Sequence, residues 1–178
     1  MYPFFRLALE VVIHRKSRAL GPMDTHVSFH RCWPWDLDVF AELNNGRTLT
    51  IYDLGRLPFG MRAGLFRVLR KNAWGLTMAG AAVRYRRRIR LFDRIEMRSR
   101  VIGWDARFMY VEQSMSVRGQ VAGHIVYRSA VTDAEGLVPP QRVADQIAPG
   151  LHTPALPDWV KAWVEAEDLR PWPPEIAT

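Results

Sequence analysis

The sequence predicts an α+β fold in which a long helix is laid on an antiparallel sheet. Three features carry that expectation. A strand-like run at 27–33 comes first. A helical stretch opens at Asn44 or Asn45 and carries Leu49, Ile51, Tyr52, Leu54 and Leu57. Candidate strands then occupy 76–92, 94–105, 107–117 and 121–133.

Each element has a local cause. Asparagine is a favoured helix N-cap because its side chain accepts an otherwise orphan backbone N–H. Pro58 predicts a kink or the start of a second helix over 58–71, with Phe59, Leu65, Phe66, Val68 and Leu69 as its apolar residues. Beyond Asn72 the pattern turns to alternation, with Phe108 and Tyr110 set against Met109 and Val111. Phe92-Asp93-Arg94, Asp105-Ala106 and Arg118-Gly119-Gln120 read as hairpin connections, so these strands are expected to form a meander.

The chain divides into three parts. Residues 1–20 form an N-terminal helical segment, 21–138 the main domain, and 139–178 a tail rich in proline and tryptophan. The first segment is apolar to Ile13 apart from Arg6 and Glu10, and His14, Arg15 and Lys16 follow. It is shorter than the ~20 apolar residues of a membrane span and lacks the charge placement and cleavage site of a secretory signal. An amphipathic helix packed on the body or on a partner is expected, with contact to a membrane surface the less favoured alternative. The tail holds a helix candidate at 158–168, with Trp159, Val160, Trp163 and Val164 on one stripe. It is expected to dock on the domain or on a second subunit.

Composition narrows the function classes. The chain has 178 residues, enough for one domain, and 48% are hydrophobic, which excludes a disordered chain. The net charge of +7 points to an anionic partner: nucleic acid, anionic lipid, or a phosphate-bearing molecule such as coenzyme A. Cys32 is the single cysteine, which excludes an intrachain disulfide and a Cys-rich metal site. Its neighbours Arg31, Trp33 and Pro34 supply no base, so it reads as a small packed residue in a reducing, cytoplasmic compartment. His14, His26, His30, His124 and His152 show no metal-ligand spacing, and His124 reads as packed or paired. There is no Gly-x-Ser-x-Gly and no glycine-rich phosphate loop.

The chemistry concentrates between Asp36 and Leu49. Asp36, Asp38 and Glu42 precede the helix start at Asn44 and Asn45. A helix N-terminus presents unpaired amides and a partial positive charge. Such amides can hold the oxyanion formed when a thioester carbonyl is attacked. A nearby carboxylate can attack that carbonyl or activate a water. An aspartate before a helix is also a common turn former, and that reading stays open here. A second feature is the run Arg84, Arg86, Arg88 and Arg90. In a continuous strand these would share one face and suit the phosphates of coenzyme A. The alternative is ion pairing with Asp93, Glu96, Glu112 or a neighbouring subunit, or plain solvated charge.

The segment from Asp36 to Asn45 resembles the hotdog-fold acyl-CoA thioesterases of the 4-hydroxybenzoyl-CoA thioesterase type. Asp36, Asp38, Ala41, Glu42, Asn44 and Asn45 fall at that family's spacing. The stretch from Tyr85 to Asp93 is similar to the family's strand after the helix, and the resemblance covers roughly residues 27–133. It implies a hotdog fold and thioester hydrolysis. It also implies a homodimer or homotetramer with sites at subunit borders, and no cofactor or metal. Asp38 is implied as nucleophile or general base, and the amide of Asn45 as oxyanion donor. Glu42, Asn44, Arg84, Arg86 and Arg88 are expected to contact substrate. Asp36 is a second choice with a turn or capping role favoured, and Asp53 on the helix is an outside candidate. Glu42 stands where relatives carry His, and Ala41 where they carry Gly. The Glu42 departure keeps alive a non-catalytic acyl-binding protein as an alternative. A nucleic-acid or membrane-surface module on the basic strand is the other rival. Nucleic acid is not the expected partner, because no RNA-binding signature accompanies the arginines and the loop motif would go unexplained.

Overall fold

The computed structural model describes residues 2–171 and 173–174. Met1, Trp172 and 175–178, which belong to the two terminal segments, lie outside the described residues. The elements are α1 (Phe4–His14), β1 (His26–Arg31), a short 3₁₀ turn (Pro34–Asp36), α2 (Asn45–Arg62), α3 (Leu65–Asn72), β2 (Gly75–Tyr85), β3 (Arg94–Trp104), β4 (Met109–Val117), β5 (Gln120–Thr132), β6 (Leu137–Val138), α4 (Pro140–Ile147) and α5 (Asp158–Leu169).

The strands form one antiparallel sheet in the order β1-β3-β4-β5-β2, with β6 pairing the end of β5. The α2 helix lies on one face of it. Ile51, Tyr52 and Phe59 of α2 pack with Ile95, Met97, Val111, Met115, Ile125 and Tyr127 of the sheet in one buried cluster. This is the hotdog arrangement. At Gly55 the helix comes so close that an added Cβ would meet Met97 and Ser28. Part of the other face of the sheet is covered by the tail. Val160, Trp163 and Val164 of α5 pack on Ile102, Phe108, Tyr110, Val126 and Ala130. A third cluster joins Val68 and Leu69 of α3 to Trp74, Val131, Val138 and Val143.

Three sequence expectations need correction. Pro58 does not open a second helix; α2 runs through it to Arg62. The break comes at Gly64, whose φ of 81° takes the left-handed conformation that favours glycine. The strand expected over 76–92 stops at Tyr85. The amides of Arg86 and Arg87 both donate to the carbonyl of Ala122, at 2.9 and 3.0 Å, so the ladder is broken there. Finally, the meander is confined to β3, β4 and β5. β2 pairs with β5, not β3, and Phe92-Asp93-Arg94 is not a hairpin. Instead Phe92 and Asp93 exchange backbone hydrogen bonds with Cys32 just beyond β1. The chain between Tyr85 and Arg94 therefore passes from one edge of the sheet toward the other.

Candidate functional site

The site is built where that crossing segment meets the start of α2. Asn44 is the N-cap, and its side-chain oxygen accepts from the amides of Gly46 (2.8 Å) and Arg47 (3.1 Å). The amide of Asn45, one position earlier, has no acceptor among the described residues, as expected of a first-turn donor. Leu43 donates its amide to the Ile89 carbonyl at 2.8 Å, and Glu42 bridges Arg90 through the backbone. These bonds clamp the pre-helix loop against 86–90. Between them lies a groove of about 190 Å³, lined by Glu42, Asn45, Thr48, Tyr85, Arg86–Arg88 and the floor residues Met115 and Gly123.

Asp36, in the loop that leads to the groove-lining Glu42, is fully buried. Arg6 reaches one oxygen at 2.8 Å and Arg47 the other at 2.8 Å. The Trp33 amide also donates to it, and its own carbonyl accepts from Asn44 at 2.9 Å. A carboxylate so enclosed holds the loop and the helix start together. It offers no oxygen to a substrate.

Asp38 sits in the tight turn 38–42. Its Oδ1 accepts from the amides of Phe40 at 2.9 Å and Glu42 at 3.4 Å, while Oδ2 has no hydrogen bond among the described residues. Ala41 takes a φ of 56° in this turn, the conformation for which a glycine would be the usual choice. Asp38 is not among the residues lining the groove. Glu42 is, and its carboxylate meets Arg88 Nε at 2.8 Å.

The arginines separate. Arg84 points with Arg98, Arg100 and His124 into a different surface depression, which Arg86 also borders. Arg88 pairs with Glu42, and not with Asp93, Glu96 or Glu112. Those three pair instead with Arg118, Arg98 and Arg100. Asp53 pairs with Arg56 and accepts from Tyr2 at 3.2 Å, outside the groove. His124 bonds Glu112 at 2.9 Å and meets the edge of Trp159. Cys32 is buried, which pushes its thiol up to about 11, with Asp36 and Asp93 adding to the effect. Among the described residues no cluster of His, Cys, Asp or Glu is arranged to hold a metal ion.

Sequence reasoning thus brought Glu42, Asn45, Arg86 and Arg88 to one groove. It missed Thr48, Tyr85 and Gly123. Thr48 was within reach, since it lies one helical turn from Asn44 and Asn45. Tyr85 and Gly123 meet only through the β2–β5 register, which pairs them directly.

The model of the Thioesterase-like superfamily matches residues 32–164. The chain is 31% identical over 137 residues to Protein THEM6 of Xenopus laevis, covering 76% of this chain and 65% of that protein. The match therefore spans a little under two thirds of the frog protein's length. Among solved structures, YbaW of Escherichia coli superposes with a TM-score of 0.65 at 16% identity, covering 70% of this chain and 96% of that one. A 1,4-dihydroxy-2-naphthoyl-CoA thioesterase from Synechocystis superposes with a TM-score of 0.61 at 10% identity, over 72% and 98% of the two chains. At such identities the structural likeness concerns the fold.

Proposed function

This chain belongs to the thioesterase-like superfamily of hotdog proteins, and from that premise we propose that it hydrolyses an acyl-CoA thioester. One observation carries the reading. The free amide of Asn45, at the positive end of an 18-residue helix, shares a groove with a carboxylate and three arginines. That combination suits a developing oxyanion on one side and phosphates on the other.

In the proposed reaction Asp38, which does not itself line the groove but whose turn ends at the groove-lining Glu42, takes a proton from water as the water oxygen bonds to the thioester carbon. The alternative is direct attack by Asp38 through Oδ2, which expels the sulfur and leaves a mixed anhydride that water then hydrolyses. The negative charge that gathers on the carbonyl oxygen is held by the Asn45 N–H. The carbon–sulfur bond then breaks, the sulfur leaves with the proton that Asp38 took from water, and a carboxylic acid and coenzyme A result. Arg86 and Arg88, with Glu42 setting the position of Arg88, hold the phosphate end. Asn44 shapes the helix start. Arg84, on the neighbouring depression, contributes to the same positive field.

The edge strand β2 supports assembly. It pairs on one side only, runs 11 residues, and carries Ala79, Gly80, Ala81 and Ala82 in its middle. A small-residue edge suits pairing with the β2 of a second copy, as a dimer or within a tetramer. The groove lies at the end of that strand, so a partner would border it. A lone reduced cysteine fits a cytoplasmic setting.

A specific contact favours a second reading. The Glu42–Arg88 ion pair engages the groove's carboxylate, and a protein that holds acyl-CoA without cleaving it would keep such a pair. A panel of acyl-CoA thioesters, assayed with the wild type, Asp38→Asn and Glu42→Gln, separates these readings. Asp38→Asn is expected to lower kcat by ~10²-fold or more. Undiminished hydrolysis would remove Asp38 from the reaction, and loss in Glu42→Gln alone would transfer the role to Glu42. Binding without hydrolysis by the wild type would establish the acyl-binding reading.

A further inference from the structure

The α1 helix is turned the wrong way for a helix that serves only to cover a core. Its polar residues face the protein. Arg6 donates to Asp36 at 2.8 Å and to the Arg31 carbonyl at 2.9 Å. Glu10 is buried, with His30 at 3.3 Å and His14 at 3.5 Å. Most of its large apolar residues face outward: Phe5 is 83% exposed, Val12 66% and Ile13 55%, and Phe4 and Leu9 join them, while Leu7 and Val11 are half-buried. Positions 5, 9, 12 and 13 follow helical spacing and form a single stripe. The Arg6–Asp36 ion pair and the contacts of Glu10 with His30 and His14 fix the helix in this rotation, so the stripe cannot roll inward without stranding Glu10 and Arg6.

We propose that this stripe docks α1 flat on an anionic lipid surface. Charge selects that occupant. Arg15, Lys16 and Arg18 follow directly after the stripe, are exposed, and make no ion pair among the described residues. The one acid of the helix, Glu10, is turned away from it. An exposed apolar stripe bordered by cations, on a helix too short to cross a bilayer, is the pattern of an interfacial helix. The adjoining loop, gripped through Arg6–Asp36, adds exposed Trp35, Val39 and Phe40, and aromatic side chains suit the headgroup level. A second copy is the weaker occupant. α1 packs on α2 and sits at the β1 side of the sheet, whereas the small-residue edge suited to self-pairing is β2, at the far side. Nucleic acid is weaker too, because a stripe of Phe, Leu, Val and Ile offers phosphates nothing.

Co-sedimentation of the full chain with lipid vesicles tests this. Wild type should pellet with phosphatidylcholine vesicles containing phosphatidylglycerol, pellet at least ~10-fold less with phosphatidylcholine alone, and come off the anionic vesicles in high salt. The double variant Phe5→Asp, Val12→Asp should lose binding while its thermal unfolding and circular dichroism match the wild type, since both side chains are already in water. Arg15→Ala, Lys16→Ala and Arg18→Ala together should lose the preference for anionic vesicles and keep the fold, giving an independent arm. Wild type that stays in the supernatant with both vesicle types overturns the proposal. So does vesicle binding that neither variant changes. Concentration-dependent self-association abolished by Phe5→Asp, without vesicle binding, would assign the stripe to a second copy instead. Binding of a duplex oligonucleotide that depends on Arg15, Lys16 and Arg18, without vesicle binding, would assign the basic cluster to nucleic acid.

Discussion

Arg62 donates to Nδ1 of His26 at 2.8 Å, which places the proton of a fully buried imidazole on Nε2. The ring is therefore neutral. Burial, with repulsion from His14, Arg62 and His30, holds its pKa down to about 3.

A pH dependence follows from that. In the unfolded chain a histidine takes its proton near pH 6.5, whereas in the folded chain His26 resists it until about 3. Between those values the unfolded state binds more protons. Stability attributable to this ring is intact above pH 6.5 and falls as pH drops toward 3. His14, lowered mainly by burial, acts in the same direction. Urea unfolding at pH 7 and pH 4 should differ by roughly 3 kcal/mol. In His26→Gln the difference should shrink by about half or more. An unchanged pH slope in that variant would place the acid sensitivity elsewhere.

Asp36 leads to a second expectation. Its carboxylate lies between Arg6 and Arg47 with no exposure to water. Asp36→Asn removes the negative charge and leaves two guanidinium groups facing a neutral amide. Breaking a buried pair in this way costs about 3–5 kcal/mol. Because Arg6 belongs to α1, proteolysis between α1 and β1 should also accelerate. A loss below ~1 kcal/mol would mean that water reaches this carboxylate.

Gly55 gives a third. Replacing a mid-helix glycine with alanine ordinarily gains about 1 kcal/mol. Here the new methyl would meet Met97 and Ser28 where α2 crosses the sheet. Met97 is itself fully buried and has no room to swing. Overpacking of this kind costs ~1–3 kcal/mol, so Gly55→Ala should lower the melting temperature. A rise would show that helix and sheet separate easily here.

The fold class was legible because helix and strand periodicity are local. Asn44 announced a cap, and alternation in 107–117 announced a strand. What stayed hidden depends on contacts between distant segments. The arginine run looks like a strand continuing past Tyr85, because nothing in Arg86–Arg90 opposes extension locally. It is the shared Ala122 carbonyl, 36 positions from Arg86, that ends the pairing. Sequential strands usually pair, so a β2–β3 hairpin was the natural expectation; the long β2–β5 ladder prevails because it joins 10 residue pairs. In the site, the crowding of acids before α2 was visible. That Asp36 would be sealed by Arg6 was not, since 30 residues separate them. The orientation of α1 was hidden for the same reason: its buried partners, His30 and Asp36, lie beyond the helix.

The fourth expectation separates the architecture of the helix start from its chemistry. Asn44 caps α2 through one oxygen that serves two amides. Asn44→Ala should cost about 1 kcal/mol and lower acyl-CoA turnover, because the first turn that presents the Asn45 amide would fray. Asn44→Asp keeps an oxygen in the same place and adds a negative charge at the positive end of the helix, worth ~0.3–1 kcal/mol. Stability should therefore return to at least that of the wild type. Turnover should not return, since the added charge lies beside the amide proposed to receive the oxyanion and would repel it, lowering kcat by ~10-fold or more. Melting curves and kcat measured on the same two variants make the comparison. If Asn44→Asp recovered both stability and full turnover, negative charge would not be developing near Asn45, and the oxyanion would have to be held by another group.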